Sequence, residues 1–337
     1  MLAGILLRPQ RIEIQETEVP LPARGEVRVE IRAALTCGTD VKAYLRGHPM
    51  IPMPGVFGHE FSGVIAEAGT GVKGFKEGDA VMSVHSAPCL KCRYCRKRLF
   101  NLCENIMNSK VLGAFAEYIL LPAHIVKQNL FHKPDGLPYE EAAFLEPLSC
   151  VVHSVADLAV RKGDRVLILG AGPIGLLHLL LAKLNGAEVI ITGLEQERLN
   201  LARVLGADRT VSPDDVTGAV KEFTDGLGAD FVFECTGQAN VWEDSVTHVR
   251  RGGTVILFGG CKSGTTVTYD TYRLHYDEIT LKGVFHFTPL DVKKAYGLLQ
   301  GTLDVSPLIS GSYSLGELKI PFEKLSKGEG IKYAIIP

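Results

Sequence analysis

Four cysteines crowd into one short stretch of the chain, Cys89-x2-Cys92-x2-Cys95-x7-Cys103. Four thiolates close a tetrahedron around a single ion and leave no position open, which is the donor set of a structural zinc site. Bacterial iron–sulfur motifs also run C-x2-C-x2-C, but they continue x3-C-P, whereas here seven residues precede the fourth cysteine and Glu104 follows it. The spacing therefore predicts zinc over an iron cluster. A second set is dispersed: Cys37 in Cys37-Gly38-Thr39-Asp40, the pair His59-Glu60, and Glu146 in Glu146-Pro147-Leu148. One thiolate, one imidazole and carboxylate make an incomplete shell, as a catalytic zinc needs. Taken singly, each has a plainer reading: Cys37 as a buried thiol, His59 as a hydrogen-bonded core histidine, Glu146 as a carboxylate at a helix start.

A third group of residues could hold a dinucleotide. The run Leu167-Ile168-Leu169-Gly170-Ala171-Gly172-Pro173-Ile174-Gly175 sets G-x-G-x-x-G between an apolar strand and a helical stretch, the context that gives this motif its value. Gly170 permits the tight turn, Gly172 lets the backbone approach a pyrophosphate, and Gly175 lets helix and strand pack closely. Free N–H groups at the helix start then face the anion. The second strand should end in an acidic residue for the ribose 2′-hydroxyl, but Ile191-Thr192 is followed by Gly193. Glu195 would favour NAD and Arg198, folded over a 2′-phosphate, would favour NADP; both read equally well as members of a solvated helix start. Aspartate at 193 is expected to restore the missing carboxylate.

These residues need a framework to bring them together. A length of 337 residues suggests two domains. The first third is β-rich, with strands expected at Glu26 to Ala33, Phe61 to Glu67 and Ala80 to Val84, punctuated by Gly and Pro. From Asp164 short apolar strands (Val166 to Leu169, Val189 to Thr192, Phe231 to Glu234, Thr254 to Phe258) alternate with helical stretches (Ile174 to Leu184, Glu197 to Leu205), which indicates βαβ units and a parallel sheet. After Gly283 that rhythm stops, leaving one helix at Leu290 to Leu299 and short strands. A tail this small implies a return to the first domain. The expected fold is α/β: a doubly wound parallel (Rossmann) sheet domain over 151–286, inserted into a β-rich domain made of 1–150 and 287–337.

Composition excludes several classes of function. The formal net charge of −2 and the lack of a long basic tract argue against a polyanionic partner. The apolar start Met1 to Leu7 has no basic segment before it and no small-residue cleavage site after Arg8-Pro9, so export is not expected. The run from Val166 to Leu184 contains Pro173, His178 and Lys183, and strand, turn and helix explain it better than a membrane span. Eight cysteines in a large chain of this kind fit reduced thiols and metal ligation in the cytoplasm.

Together the motifs resemble the zinc-containing medium-chain alcohol and polyol dehydrogenases, in particular the sorbitol and threonine dehydrogenase branch. The resemblance runs through Cys37-Gly38-Thr39-Asp40, Gly55-x2-Gly58-His59-Glu60-Phe61-Ser62-Gly63, Gly74-x3-Gly78-Asp79-Ala80-Val81, the four-cysteine lobe at about 88–104, Phe115-Ala116-Glu117-Tyr118, Glu146-Pro147-Leu148, Gly170 to Gly175 and Glu234-Cys235-Thr236-Gly237. It implies a GroES-like catalytic domain and two Zn2+ ions per chain. One would be structural, on Cys89, Cys92, Cys95 and Cys103. The other would be catalytic, on Cys37, His59 and Glu60, with Glu146 as alternative ligand or neighbour. Gly170, Gly172, Pro173, Ile174, Gly175 and Thr236, with Glu195 or Arg198, would bind NAD or NADP. Zinc would act as a Lewis acid toward the alcohol while hydride leaves for the nicotinamide, and Thr39 would take the alcohol proton. Three positions depart from the family's pattern. Lys42 stands where a histidine often serves as outer relay, with His48 nearby. The segment from Cys103 to Gly113 is short. His286-Phe287 replaces the Arg-Tyr of sorbitol dehydrogenases, which argues against sorbitol itself and makes His286 the candidate substrate residue. A secondary alcohol on a polyol, cyclitol or small hydroxy compound is expected, turned over by a homodimer or homotetramer with no nucleic-acid or membrane partner.

Two other functions compete. Lys91, Arg93, Arg96, Lys97 and Arg98 make the cysteine lobe basic, as a nucleic-acid-binding zinc module would be, but the rest of the chain then has nothing to do. A non-catalytic, lens-like relative could dispense with the dispersed ligands. Cys37, Thr39, His59 and Glu60 are all present.

Overall fold

Val27, Val29 and Ile31 are buried on one face of the strand Val27–Leu35 while Arg28, Glu30 and Arg32 keep contact with water on the other, the alternation of a half-buried strand. Its antiparallel neighbour Glu60–Ala68 is held in a register that pairs Leu35 with Glu60 and Ala34 with Phe61. That register sets Cys37, just beyond one strand, next to His59, just before the other. On its other edge the same strand pairs with Tyr118–Leu121 near its start and with Lys332–Ile336 near its end. The sheet runs Ile309–Ser314, Lys332–Ile336, Val27–Leu35, Glu60–Ala68, Ala80–Ser83, Leu130–His132. Phe57, Phe61, Phe115 and Phe322 are fully buried around it, with ring centroids 4.9 Å apart for Phe57 and Phe115 and 5.5 Å apart for Phe57 and Phe322.

This computed structural model describes residues 1–337, which form two units: Met1–Val152 with His286–Pro337, and His153–Phe285. The second unit thus begins two residues later and ends one residue earlier than the sequence suggests. His286 belongs to the first unit, where its ring stacks on Phe287 with centroids 4.0 Å apart. The tail also differs from expectation. Ile309–Ser314 and Lys332–Ile336 pair in parallel, and a parallel pair needs a crossover, which the helix Lys319–Ser326 supplies. The helix is short and carries Pro321 in its first turn, so its period is hard to read from the residues alone.

The second unit is a six-stranded, wholly parallel sheet. Numbered in chain order from Arg165–Leu169, its strands lie 3-2-1-4-5-6, the doubly wound order whose switch point falls between the first and fourth strands. The helix Pro173–Leu184 follows the first strand directly, with Pro173 at its first position, where a missing N–H is harmless. No helix in the chain is long and apolar enough to cross a membrane.

His178, on that helix, is buried with both ring nitrogens engaged: Nδ1 donates to the Ile174 carbonyl and Nε2 accepts from the Ser154 hydroxyl, both at 2.8 Å. Burial outweighs the carbonyl bond and pushes its pKa down to about 4. The unfolded chain therefore takes a proton that the folded one refuses as pH falls below the ordinary histidine value. Stability should drop with falling pH from about 6.5, by roughly 3 kcal/mol at pH 4 from this residue alone. Urea titrations of the full chain at several pH values should show a flatter dependence for His178→Gln in that window. An identical slope would mean that the imidazole is protonated in the folded state.

Candidate functional site

The helix Gly38–Arg46 starts directly after the strand Val27–Leu35 and Thr36, and Cys37 caps it, its Sγ accepting the Thr39 N–H at 3.4 Å. Asp40, in the first turn, is fully buried, with Oδ1 3.4 Å from His59 Nδ1. Glu146 is the second residue of the helix Leu145–Val155, where a carboxylate suits the positive end of the helix dipole. Two overlapping triads result, Cys37–Asp40–His59 and His59–Glu60–Glu146, each with its candidate donor atoms within 4.8 Å of one another. His59 is common to both. Burial works against the charged imidazole, yet Asp40 and Cys37 together hold its pKa well above the ordinary histidine value.

The two glutamates are held differently. Glu60 Oε2 accepts a short bond from Lys332 Nζ, which also donates to the Thr36 carbonyl at 2.8 Å, and both side chains are almost wholly buried. Burial pushes the Glu60 pKa up to about 7 against the pull of Lys332. Glu146 Oε1 faces His85 Nδ1 at 3.3 Å and the Cys150 thiol at 3.8 Å. Burial would raise it too, but His85 and then His59 outweigh that and bring it to about 2. Glu60 Oε1, both Asp40 oxygens and His85 Nδ1 are buried without an aligned hydrogen bond. Buried carboxylate oxygens without hydrogen bonds, beside a thiol and an imidazole, make a donor set that a divalent cation of borderline softness fits.

His85 and Lys332 went unnoticed in the sequence. His85 is buried, with its ring edge-on to His59 at 5.1 Å and to His286 at 5.2 Å. His286 Nε2 lies 2.6 Å from Ser86 Oγ, and its backbone has φ +64°, a conformation that is uncommon outside glycine and often accompanies function. The short segment after Cys103 packs here as well, its Val111 N–H bonding to the His85 carbonyl and its Gly113 N–H to the Gly58 carbonyl. Thr39 is half-buried beside Cys37. His48 Nδ1 accepts the Met50 N–H at 3.3 Å, and burial followed by the charge of Lys42 lowers its pKa.

In the cysteine lobe all four sulfurs lie within 4.8 Å of one another and none is in a disulfide. Backbone N–H groups point at them: Cys89 N and Asn105 N donate to Cys103 Sγ at 3.3 and 3.4 Å, and Cys95 N donates to Cys92 Sγ at 3.5 Å. The Lys91 N–H leads the causes that lower Cys89 to about 6, whereas burial pushes Cys95 up to about 12. Four such thiols cannot all ionise at neutral pH without a cation between them, so the lobe fits a structural zinc.

The second unit brings the glycine loop to the switch point. Gly170 has φ +112°, its N–H bonds to the Thr192 carbonyl, and a side chain there would meet Thr236 Cγ2 at 3.0 Å. A Cβ on Gly175 would lie 1.9 Å from the Gly170 oxygen, while over Gly172 there is open space. Thr236 is less available than expected, because its hydroxyl and N–H both donate to the buried Glu234. At Gly193 the expectation of a replaceable position fails: a Cβ would sit 2.8 Å from the Ala171 Cβ. A carboxylate cannot be added there without moving the loop. Glu195 lies 3.7 Å from Arg198 in an ion pair. A cavity of about 620 Å³ beside Gly193 is lined instead by Arg203, Arg209, Ser212 and Gln196, among others.

Two family models match this chain, the alcohol dehydrogenase GroES-like domain over 23–135 and the zinc-binding dehydrogenase model over 173–301. The sorbitol dehydrogenase of Halalkalibacterium halodurans is 33% identical over 332 residues, spanning 96% of this chain and 95% of its own. The L-threonine 3-dehydrogenase of Deinococcus radiodurans is 35% identical over 327 residues, with 94% and 92% covered. A candidate zinc-binding dehydrogenase of Sinorhizobium meliloti 1021, in a crystal structure bound to NADP, superposes with a TM-score of 0.89 at 30% identity, covering 100% of this chain and 99% of its own.

Removing one partner of the buried Glu60–Lys332 pair leaves the other charge without water or counter-ion. Lys332→Met should cost about 3–5 kcal/mol in urea unfolding, and the double change Lys332→Met with Glu60→Gln should recover most of it. A single-variant loss near zero would mean that the pair is not charged in the folded chain.

Proposed function

Because the chain belongs to the zinc-containing medium-chain alcohol and polyol dehydrogenase family, we propose that it transfers hydride between a secondary alcohol and NADP. The first unit would bind metal and alcohol, the second the dinucleotide. The convergence on His59 of half-buried Cys37 and buried Glu60 and Glu146, in two overlapping triads and with Glu60 Oε1 unpartnered, carries this reading over a nucleic-acid module or a non-catalytic relative. Cys37, His59 and Glu146 would hold the catalytic zinc. Glu60 stands behind them with Oε2 committed to Lys332, so only Oε1 is left to approach it. When bound, zinc supplies a Lewis acid for the substrate oxygen and the dinucleotide supplies the hydride acceptor.

The chain's own residues do the rest. Asp40 Oδ1, 3.4 Å from His59 Nδ1, biases the ring by its charge, and Lys332 holds Glu60 in place. Thr39, whose N–H is bonded to Cys37 Sγ, takes the hydroxyl proton as hydride leaves the carbinol carbon. A hydroxyl can accept and donate in turn, as a relay must. Ser86 and His286 offer a paired hydroxyl and imidazole to further hydroxyls of a polyol, cyclitol or small hydroxy compound. Without the reach of an arginine at 286, sorbitol should be a poor substrate.

The preference for NADP rests on Gly193 and its surroundings. No carboxylate fits there to bind the 2′-hydroxyl, Glu195 is partly neutralised by Arg198, and Arg203 and Arg209 line the neighbouring cavity. Eight free cysteines suit the reducing cytoplasm, and we assign the protein to that compartment as a homodimer or homotetramer.

Two experiments test this reading. Purified protein should carry two zinc ions per chain and oxidise secondary alcohols, and Thr39→Val should slow turnover by about 10² to 10⁴ while keeping zinc and dinucleotide bound. Unchanged turnover in Thr39→Val would remove that hydroxyl from the relay. NADPH should bind more tightly than NADH, measured by nucleotide fluorescence. Arg203→Ala and Arg209→Ala together should erase about 10- to 100-fold of the difference, the worth of a charge-assisted hydrogen bond. Equal binding of the two nucleotides to the unaltered protein would reverse the cofactor assignment.

A further inference from the structure

Glu146 is a buried carboxylate at the start of a helix, and only two side chains touch it through polar atoms: the Cys150 thiol at 3.8 Å and His85 Nδ1 at 3.3 Å. The thiol is a weak donor at long range, and His85 Nδ1 stands at contact distance without the alignment of a hydrogen bond, so the imidazole limits the orientation of the carboxylate by its position against Oε1. His85 is itself closely packed. Its carbonyl accepts the Val111 N–H at 2.8 Å, and its ring is boxed in by His59 at 5.1 Å, His286 at 5.2 Å and Phe287 at 5.9 Å. A ring with three such neighbours is packed in place beside Glu146. Its placement also ties the segment after Cys103 to the candidate metal ligands, since Val111 belongs to that segment.

We propose that His85 is a positioning residue: it fixes the Glu146 carboxylate in the orientation that presents it to the catalytic metal. The inference rests on the reading of Glu146 as a ligand. Groups that hydrogen-bond a ligating side chain set its direction, and losing one lowers metal affinity about 10- to 100-fold.

The test uses the full chain, with zinc affinity at the dispersed site measured by competition with a chromogenic chelator and with the visible spectrum of Co2+ loaded into the same site. His85→Leu should weaken zinc binding by about 10- to 100-fold and shift the cobalt bands, while zinc in the cysteine lobe stays bound as a sign of an intact fold. His85→Asn should restore most of the affinity, because its amide nitrogen falls near the place of Nδ1. His85→Gln, whose amide falls near Nε2, should not. If His85→Leu does not fold, the contrast between Asn and Gln decides: equal affinities and spectra in those two overturn the proposal. So does an unchanged His85→Leu when Glu146→Gln alters both readouts. If Glu146→Gln also alters neither, Glu146 is not a ligand, and that reading falls together with the role of His85.

Discussion

Lys332 and Glu60 form a charged pair with almost no access to water, and much of the first unit is arranged to make that tolerable. An ammonium taken out of water has to be satisfied on several sides, and here the Thr36 carbonyl and one Glu60 oxygen do so. Those three residues come from three neighbouring strands, or from the residue just beyond one. The pair can exist only if Lys332–Ile336 lies beside Val27–Leu35 and that strand in turn beside Glu60–Ala68. The same alignment sets Cys37 next to His59. The ion pair is thus compatible with one register, the same one on which the candidate metal site rests.

Around the glycine loop of the second unit the constraint is steric rather than electrostatic. Gly170, Gly175 and Gly193 each sit where a Cβ would press on a neighbour at 3.0 Å or less, and Gly172 alone opens into free space. Close packing on three sides with one open side is what an anion resting on backbone N–H groups requires. Gly193 shows how cofactor choice can be built into packing: Ala171 of the loop already fills the space that an acidic side chain would enter.

How much of this was legible in the sequence depended on whether a residue's partners lay nearby in the chain. The cysteine lobe and the glycine loop were readable because all their parts lie within a few turns of one another. Cys37, His59, Glu60 and Glu146 were readable as types, but which oxygen is committed elsewhere emerged only with Lys332 in place. Lys332 itself sits in Lys332-Tyr333-Ala334-Ile335-Ile336, where a lysine at a strand start looks like an exposed edge residue. His85 stood alone between Val84 and Ser86, with no second ligand at a telling spacing. The absence of an acid at 193 was visible; the contact that enforces it was not. The helix Lys319–Ser326 was missed because eight residues with a proline in the first turn carry little periodic signal.

The two metal sites differ in how much chain each must gather. The cysteine lobe closes between residues 89 and 103, whereas the dispersed site reaches from 37 to 146 and is backed by residue 332. By loop-closure entropy alone, joining 37 to 146 costs roughly 2 kcal/mol more than joining 89 to 103. The lobe can therefore capture its ion while the chain is still being synthesised. The dispersed site needs the strands Val27–Leu35 and Glu60–Ala68 paired before Cys37 and His59 meet, and the Lys332 strand backs it from behind. Filling the second site then depends on the register of the finished sheet, which the cysteine lobe does not need.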